Sequence, residues 1–125
     1  MNKYQEIFDQ VAVHLLTQNK SSMNISDVDV CAYRGQNGLK CAIGFLIADE
    51  DYVPEMDIDG KSVSKLVSDT TFQNNPSIQR LKALDIDFLS ELQGIHDRYE
   101  PVQWSIRLKA LAKEYKLNQD TIKER

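Results

Sequence analysis

The first segment of the chain alternates apolar and polar positions with the period of an α-helix. Between residues 3 and 19 the apolar side chains follow one another at helical spacing and lie on one side of a 3.6-residue turn: Tyr4, Ile7, Phe8, Val11, Leu15 and Leu16. The stretch 20–26 is polar and contains Ser and Asn, whose side chains compete for backbone hydrogen bonds. The pattern therefore predicts a helix over 3–19 that ends in a turn.

The period changes near residue 28, where the pattern favours a β-hairpin. Asn37-Gly38 is the preferred pair for a two-residue hairpin turn, because both residues of that turn have positive φ. With this pair at the centre, Arg34 faces Cys41 across the two strands. The sequence therefore predicts one β-hairpin near residues 29–43.

The apolar run from Ala42 to Ala48 is interrupted only by Gly44. Over so short a run, periodicity does not separate a buried strand from a buried helix. We expect a strand that continues into a short helix, and the purely helical alternative stays open.

Further helices are predicted after the acidic loop 49–60. Apolar residues recur at helical spacing, and Pro101 stands at a favourable first helical position. The predicted ranges are 61–68, 77–84, 87–99 and 101–116. Residues 118–125 are polar and are expected to fray.

These elements predict a single α+β domain over residues 1–125. It is mainly helical, with four to five helices and one hairpin packed against them. A chain of 125 residues is long enough to bury one core.

The charge distribution excludes some partners. The net charge is −4, and six acids stand without a base between residues 49 and 59, which leaves about +2 for the rest of the chain. Non-specific nucleic-acid binding requires a basic stripe, so we expect none.

The sequence also indicates a compartment. No apolar run approaches the ~20 residues of a membrane span, and residues 1–20 carry Glu6 and Asp9 where a secretory signal would be apolar. The hairpin register places Cys31 and Cys41 on opposite faces, which predicts two free thiols. We therefore expect a cytoplasmic protein without a membrane partner.

Two segments carry a resemblance: Tyr33-Arg34-Gly35-x-x-Gly38-Leu39-Lys40-Cys41-Ala42-Ile43-Gly44 and Leu92-Gln93-x-Ile95-His96-Asp97. The chain resembles a group of small proteins, without an assigned activity, that tailed phages and related mobile elements encode. The resemblance implies that the turn segment and the His-Asp pair belong to one unit, in the cytosol of a host cell. Ala48 and Phe45 depart from it, because Pro and a small residue are expected there.

The hairpin is the first candidate site. Gly35 and Gly38 are flanked by the cations Arg34 and Lys40, and together these residues can bind an anion. A purely structural role of the glycines in the turn is favoured. The acidic loop beside it can steer a basic partner. The residues expected to contact a partner or ligand are Tyr33, Arg34, Lys40, Asp49, Asp51 and Asp57.

A second candidate is a nucleophilic cysteine. Cys41 as nucleophile, His96 as base and Asp97 as orienting group have the residue types that a thiol hydrolase requires. His96 also lies at the helical spacing of core residues, and cysteine is one of the most buried residue types. The sequence does not show whether Cys41 and His96 are neighbours.

No metal or cofactor is expected. Glu55, Asp57 and Asp59 fit the first positions of a calcium loop, but the twelfth position is Leu66 where a bidentate Glu is needed. The chain also lacks the sequence spacing of zinc ligands, because Cys31 and Cys41 are too far apart to form a close cysteine pair.

The preferred hypothesis is a non-enzymatic binding protein. It would serve as a phage accessory or anti-defence factor that engages a host protein or sequesters a small anionic ligand. The alternative is a small cysteine-dependent hydrolase that uses Cys41, His96 and Asp97.

Overall fold

The computed structural model describes residues 3–23 and 31–122, except for the side chains of residues 59 and 60. This part of the chain is mainly helical. The α-helices are α1 (Lys3–Gln18), α2 (Ala42–Leu46), α3 (Val63–Ser68), α4 (Pro76–Lys82), α5 (Ile86–Arg98) and α6 (Pro101–Glu114). Short 3₁₀ helices cover Gln36–Gly38, Asp49–Asp51, Pro54–Gly60 and Thr70–Phe72.

The predicted α+β class with a hairpin near 29–43 is wrong. Residues 3–23 and 31–122 contain no β-strand, only two isolated antiparallel bridges, Met23 with Cys31 and Arg34 with Lys40. Residues 29 and 30 of the predicted hairpin lie outside the described residues. Arg34 therefore faces Lys40, one position away from the expected Cys41.

The chain does reverse at Asn37-Gly38, with φ of 57° and 74°. The N–H of Leu39 donates to the carbonyl of Gln36 at 3.0 Å. The reversal is not followed by a strand, because the returning chain enters α2 immediately after Cys41. A tight turn alone does not specify a ladder.

Two side chains start α2 at residue 42. Cys41 has extended backbone geometry, and its Sγ accepts a hydrogen bond from the N–H of Gly44 at 3.2 Å. The N–H of Ile43 donates to Oε1 of Gln93, on α5, at 3.0 Å. First-turn amides that would otherwise lack a partner are thus satisfied, which selects the helical alternative for this run.

Two glycines allow segments of backbone to touch. A Cβ on Gly44 would lie 1.9 Å from the carbonyl oxygen of Tyr33, and one on Gly35 would lie 2.4 Å from that of Met23. No side chain fits at either position. The turn can therefore pack directly on α2.

The core lies between α1, α5 and α6, with α2 and α3 packed on α5. Its largest buried side chains include Trp104, Phe8 and Phe88. The indole N–H of Trp104 donates to the carbonyl of Tyr99 at 3.1 Å, so its one polar atom has a partner. No helix of the described chain is long and apolar enough to cross a bilayer.

The segment after α6 is docked rather than frayed, as far as residue 122. The N–H of Asn118 donates to Oε1 of Gln5 at 2.8 Å, and Ile122 is buried. Residues 123–125 lie outside the description.

Candidate functional site

Arg34, expected to face a partner, is bound inside the fold. Its Nε donates to the carbonyl of Gly44 at 3.2 Å and its Nη2 to that of Ile47 at 2.5 Å. Its Nη1 pairs with Asp49 at 2.8 Å, and the side chain is only 17% exposed. Arg34 therefore caps the C-terminal carbonyls of α2.

Lys40 converges on the same carboxylate. Its Nζ lies 3.3 Å from Oδ1 of Asp49. Hydrogen bonds from Lys40 and then from Arg34 hold the pKa of the Asp49 carboxyl below its usual value. The structure thus places both expected contact cations in one intramolecular ion-pair cluster at the surface, with Asp49, 78% exposed, as the shared anion.

Asp57 fixes the turn from the other side. Its carboxylate accepts from the backbone N–H of Tyr33 at 2.7 Å, from that of Arg34 at 3.2 Å and from the hydroxyl of Tyr52 at 2.5 Å. Tyr33 is buried, and its hydroxyl donates to the carbonyl of Lys61 at 2.8 Å. These groups hold the loop 52–61 against the turn.

Asp51 is also committed internally. Its Oδ2 accepts from the hydroxyl of Ser77 at 2.6 Å and lies 3.7 Å from Nη2 of Arg80. The backbone carbonyl of Asp51 accepts from the side-chain amide of Asn75 at 2.6 Å. The carboxylates expected to steer a partner therefore connect loop 49–57 to α4 and to the turn.

A polar cluster forms around Asp97 on α5. Its Oδ1 lies 2.8 Å from Nδ1 of His96 and accepts from Nε2 of Gln93 at 2.9 Å. The buried imidazole of His96 accepts at Nε2 from the backbone N–H of Ser22, at 2.8 Å. Cys31 completes the group, because its Sγ and the ligand atoms of His96 and Asp97 lie within 4.8 Å of one another. We call these four side chains, Cys31, Gln93, His96 and Asp97, the Asp97 cluster.

Cys41 contacts this cluster at Gln93. The thiol is fully buried, and the Gln93 side chain is its hydrogen-bond partner besides the N–H of Gly44. Burial raises the pKa of the Cys41 thiol. The structure therefore brings His96 and Asp97 together as the hydrolase hypothesis requires, but places Cys31 beside them.

Sequence reasoning missed Cys31 and Gln93. No spacing rule connects position 31 to position 96, and the predicted hairpin assigned Cys31 to a sheet face. The resemblance implies that the turn segment and the His-Asp pair form one unit, and Gln93 belongs to the second of its two segments, but the resemblance implies no role for Gln93.

The Asp97 cluster lacks the features of an activated nucleophile. Burial, together with the charge of Asp97 and the hydrogen bond to it, raises the pKa of the Cys31 thiol to about 11. The thiol therefore stays protonated near neutral pH and donates to Asp97. His96 has no free lone pair to accept a proton, because its Nε2 is occupied by Ser22.

The same geometry argues against a metal at these three residues. The Ser22 N–H requires a lone pair on Nε2 of His96, so the imidazole proton is on Nδ1, facing Asp97. A metal bound at Nδ1 would require the imidazole proton to be on Nε2. The N–H at Nε2 would then face the N–H of Ser22, and neither donor would have an acceptor. The arrangement suits a hydrogen-bonded cluster better than a metal centre.

A surface groove lies between α1 and α2. It has a volume of about 620 Å³, and its lining residues are Asp9, Gln10, Val13, His14, Thr17, Gln18 and Phe45. Val13 is 50% exposed and Phe45 37% exposed, so two apolar side chains face solvent here.

The groove has a fixed wall. The ring of His14 stacks on that of Phe45, with centroids 4.2 Å apart and planes 10° apart. Nε2 of His14 donates to the carbonyl of Lys40 at 2.9 Å, and the amide of Gln18 binds the same carbonyl at 2.8 Å. Burial lowers the pKa of His14, which favours the neutral ring.

Comparisons of the chain with protein-family models, with curated proteins and with solved structures give no match. The assignment of a function therefore depends on the geometry of the chain itself.

Proposed function

We propose that this protein is a non-enzymatic binding protein that engages a partner protein through the groove between α1 and α2. The observation that carries the proposal is the exposure of Val13 and Phe45 in a groove that the positioned His14 also lines. Exposed apolar side chains that line a groove and are bordered by polar residues are one feature of interaction sites.

The groove is organised in advance of binding. Phe45 belongs to α2, which is held by the Cys41 cap, by Gln93 and by Arg34. His14 belongs to α1 and is fixed by its bond to Lys40. A wall that is already ordered loses little conformational entropy on binding, which favours affinity.

The favoured occupant is an amphipathic segment of a protein. Apolar side chains of such a segment would contact Val13 and Phe45, and a basic residue would face Asp9 at the rim. The Asp9 carboxylate accepts from Gln5 at 2.9 Å and from Thr121 at 3.3 Å, and it has no ion pair within residues 3–23 and 31–122.

A small anionic ligand is supported less well. The groove lining includes a carboxylate and no Lys or Arg side chain. The cations expected to bind an anion, Arg34 and Lys40, are already paired with Asp49. The resemblance to phage-encoded proteins adds a setting to the proposal, namely a phage accessory or anti-defence factor that binds a host protein in the bacterial cytosol.

Affinity capture from host lysate with matched variants tests this function. The double variant Val13→Glu with Phe45→Ala removes the apolar contacts, whereas Ile58→Glu changes an equally exposed residue outside the groove. We expect one host protein to be retained by the wild type and by Ile58→Glu and lost by the groove variant, at unchanged melting temperatures. Asp9→Lys should weaken its capture as well. Equal capture by all variants would disprove the assignment of the groove.

A further inference from the structure

A second, smaller cleft lies between α5 and α6, and we call it the α5–α6 cleft. Its volume is about 210 Å³, below the roughly 300 Å³ at which pockets for drug-sized ligands begin. It shares no lining residue with the α1–α2 groove. Four of its lining residues carry a charge, and all four are exposed to solvent: Glu91, Arg98, Arg107 and Glu114.

These four charged side chains do not neutralise one another. None of them forms an ion pair among the described residues, although two positive and two negative groups share one cleft. Two of the four have aromatic partners instead. The guanidinium of Arg107 lies 4.0 Å from the ring centroid of Tyr99, and Oε2 of Glu91 accepts from the hydroxyl of Tyr115 at 2.5 Å. The charges are therefore positioned and still available to a ligand.

The two signs of charge are separated along the cleft. Helices α5 and α6 pack on each other and are joined by two residues only, so they form a helical hairpin. Arg107 reaches Tyr99, at the connection, whereas Glu91 reaches Tyr115, at the far end of α6. On each helix the arginine and the glutamate are seven residues apart, roughly 10 Å along the axis, with the arginine nearer to the connection. The cleft is thus positive at one end and negative at the other.

The floor of the α5–α6 cleft contains a glycine that the fold does not require. Gly94 lies in the interior of α5, where glycine is less favourable than alanine. A Cβ at this position would meet only the guanidinium of Arg98, at 3.7 Å, which is an ordinary contact. Residues that break a local preference without a packing reason are expected at functional sites. The missing side chain leaves space in the cleft next to Arg98.

We propose that the α5–α6 cleft binds a small dipolar molecule, with its anionic group at the two arginines and an ammonium group at the two glutamates. Guanidinium groups bind carboxylates and phosphates through paired hydrogen bonds, which suits the positive end. The aliphatic part of the ligand would lie on Ile95 and Leu111, two buried residues that line the cleft between the charged groups. This site is separate from the proposed protein-binding groove, so both can be occupied at once.

Other occupants fit this cleft less well. A ligand with only negative groups would meet the two glutamates at one end, and one with only positive groups would meet the two arginines at the other. Like charges brought together in this way oppose binding. A folded protein segment exceeds the volume of the cleft.

Titrations followed by ¹H–¹⁵N NMR test the proposal with three probes that share one carbon chain. The probe ε-aminocaproate carries both charges, caproate carries only the carboxylate, and hexamethylenediamine carries only ammonium groups. We expect ε-aminocaproate to shift the amide signals of Gly94, Ile95 and Leu111. It should bind more tightly than either control by about threefold or more, as expected for one additional exposed ion pair.

Two double variants separate the ends of the cleft. Arg98→Gln with Arg107→Gln should abolish the preference for ε-aminocaproate over hexamethylenediamine. Glu91→Gln with Glu114→Gln should abolish the preference over caproate. Lys113→Gln is the matched control, since it removes an exposed charge of α6 outside the cleft and should leave both preferences unchanged.

The variant Gly94→Ala distinguishes ligand space from stability. It should weaken the binding of ε-aminocaproate while the chain becomes more resistant to urea, because the new methyl group occupies the cleft and not the core. The proposal would be overturned by equal affinity for the three probes, by the absence of shifts at millimolar concentration, or by preferences that survive both double variants. The groove variant Val13→Glu with Phe45→Ala should bind ε-aminocaproate as the wild type does. This measurement therefore succeeds or fails independently of the host-protein capture.

Discussion

The backbone N–H of Ser22 donates a 2.8 Å hydrogen bond to Nε2 of His96, 74 residues further along the chain. This bond connects the segment after α1 to the last turn of α5. It also fixes which nitrogen of His96 carries the proton, because Nε2 must keep its lone pair. The chemistry available to the Asp97 cluster depends on this one contact.

The first prediction concerns the two histidines. His96 should be the Nδ1–H tautomer, whereas His14, whose Nε2 donates to Lys40, should be the Nε2–H tautomer when neutral. Long-range ¹H–¹⁵N NMR distinguishes the two forms. His14 serves as the internal control. Finding Nε2–H on His96, or displacement of its signals by equimolar Zn²⁺, would reopen the case for a metal site.

The second prediction concerns thiol reactivity. Cys31 should react slowly with iodoacetamide near neutral pH, since its pKa is about 11. Asp97→Asn should speed the reaction, because the charge of Asp97 and the hydrogen bond to it raise that pKa in addition to burial. Cys41 should stay unlabelled until the protein unfolds. Peptide mass spectrometry reads both sites, and rapid labelling of Cys41 would restore the hydrolase hypothesis.

The third prediction compares two glycine variants. Gly44→Ala should destabilise the fold by about 3 kcal/mol or more, because its Cβ would lie 1.9 Å from the Tyr33 carbonyl oxygen. Gly94→Ala is the matched control, since its Cβ would meet nothing closer than 3.7 Å within α5. It should stabilise by roughly 0.5–1 kcal/mol through helix propensity. Urea denaturation of both variants measures the difference, and similar stabilities would contradict the packing of α2 on the turn.

The fourth prediction is a pH dependence that arises from His14. Burial lowers its pKa in the folded state, whereas the unfolded chain keeps the ordinary value of 6.5. As the pH falls below 6.5, the unfolded state takes up a proton first, so the free energy of unfolding decreases until the folded pKa is passed. His14→Gln keeps a hydrogen-bond donor and removes the titration.

Chemical denaturation between pH 7 and pH 5 follows this difference. We expect the wild type to lose more stability than His14→Gln over that range. The titration of Asp49 does not interfere with this comparison. The pKa of its carboxyl is lowered from 3.8 in the folded state, so the change that it causes in the free energy of unfolding lies below the measured pH range. If both proteins lost the same free energy of unfolding over this pH range, the fold would not favour the neutral form of His14.

The long helices could be predicted from the sequence because each buries one continuous face. The predicted helix 3–19 is observed as Lys3–Gln18, and 87–99 and 101–116 as Ile86–Arg98 and Pro101–Glu114. Over three or more helical turns, apolar residues recur at helical spacing often enough that single exceptions do not obscure the pattern. The polar caps at Asp85 and the capping box at Glu100 support the same boundaries.

The hairpin failed for a physical reason. Asn37-Gly38 specifies a reversal, but the structure that follows depends on Gln93, which is distant in sequence and whose Oε1 accepts a hydrogen bond from the N–H of Ile43 in the first turn of α2. Long-range contacts of this kind override local strand preference. The hairpin prediction therefore had the right turn and the wrong continuation.

The candidate site was harder still to predict from the sequence. Charge type alone could not show that Arg34 would cap α2, since an arginine at a turn is equally suited to an external contact. Similarly, the apolar run 42–48 did not reveal that Phe45 would face outwards while Ile43 and Ile47 are buried. That distinction requires the direction of α2 relative to α1.

The contact of Asn118 with Gln5 has a practical consequence for any assay of the groove. Thr121 reaches Asp9, and residue 3 lies about 9 Å from Asp9 along α1, so both ends of the described chain approach the groove rim. A purification tag or surface linker joined near either end would compete for the space that a partner needs. Immobilisation through a cysteine introduced at Gln73, an exposed position between α3 and α4, would leave that space open.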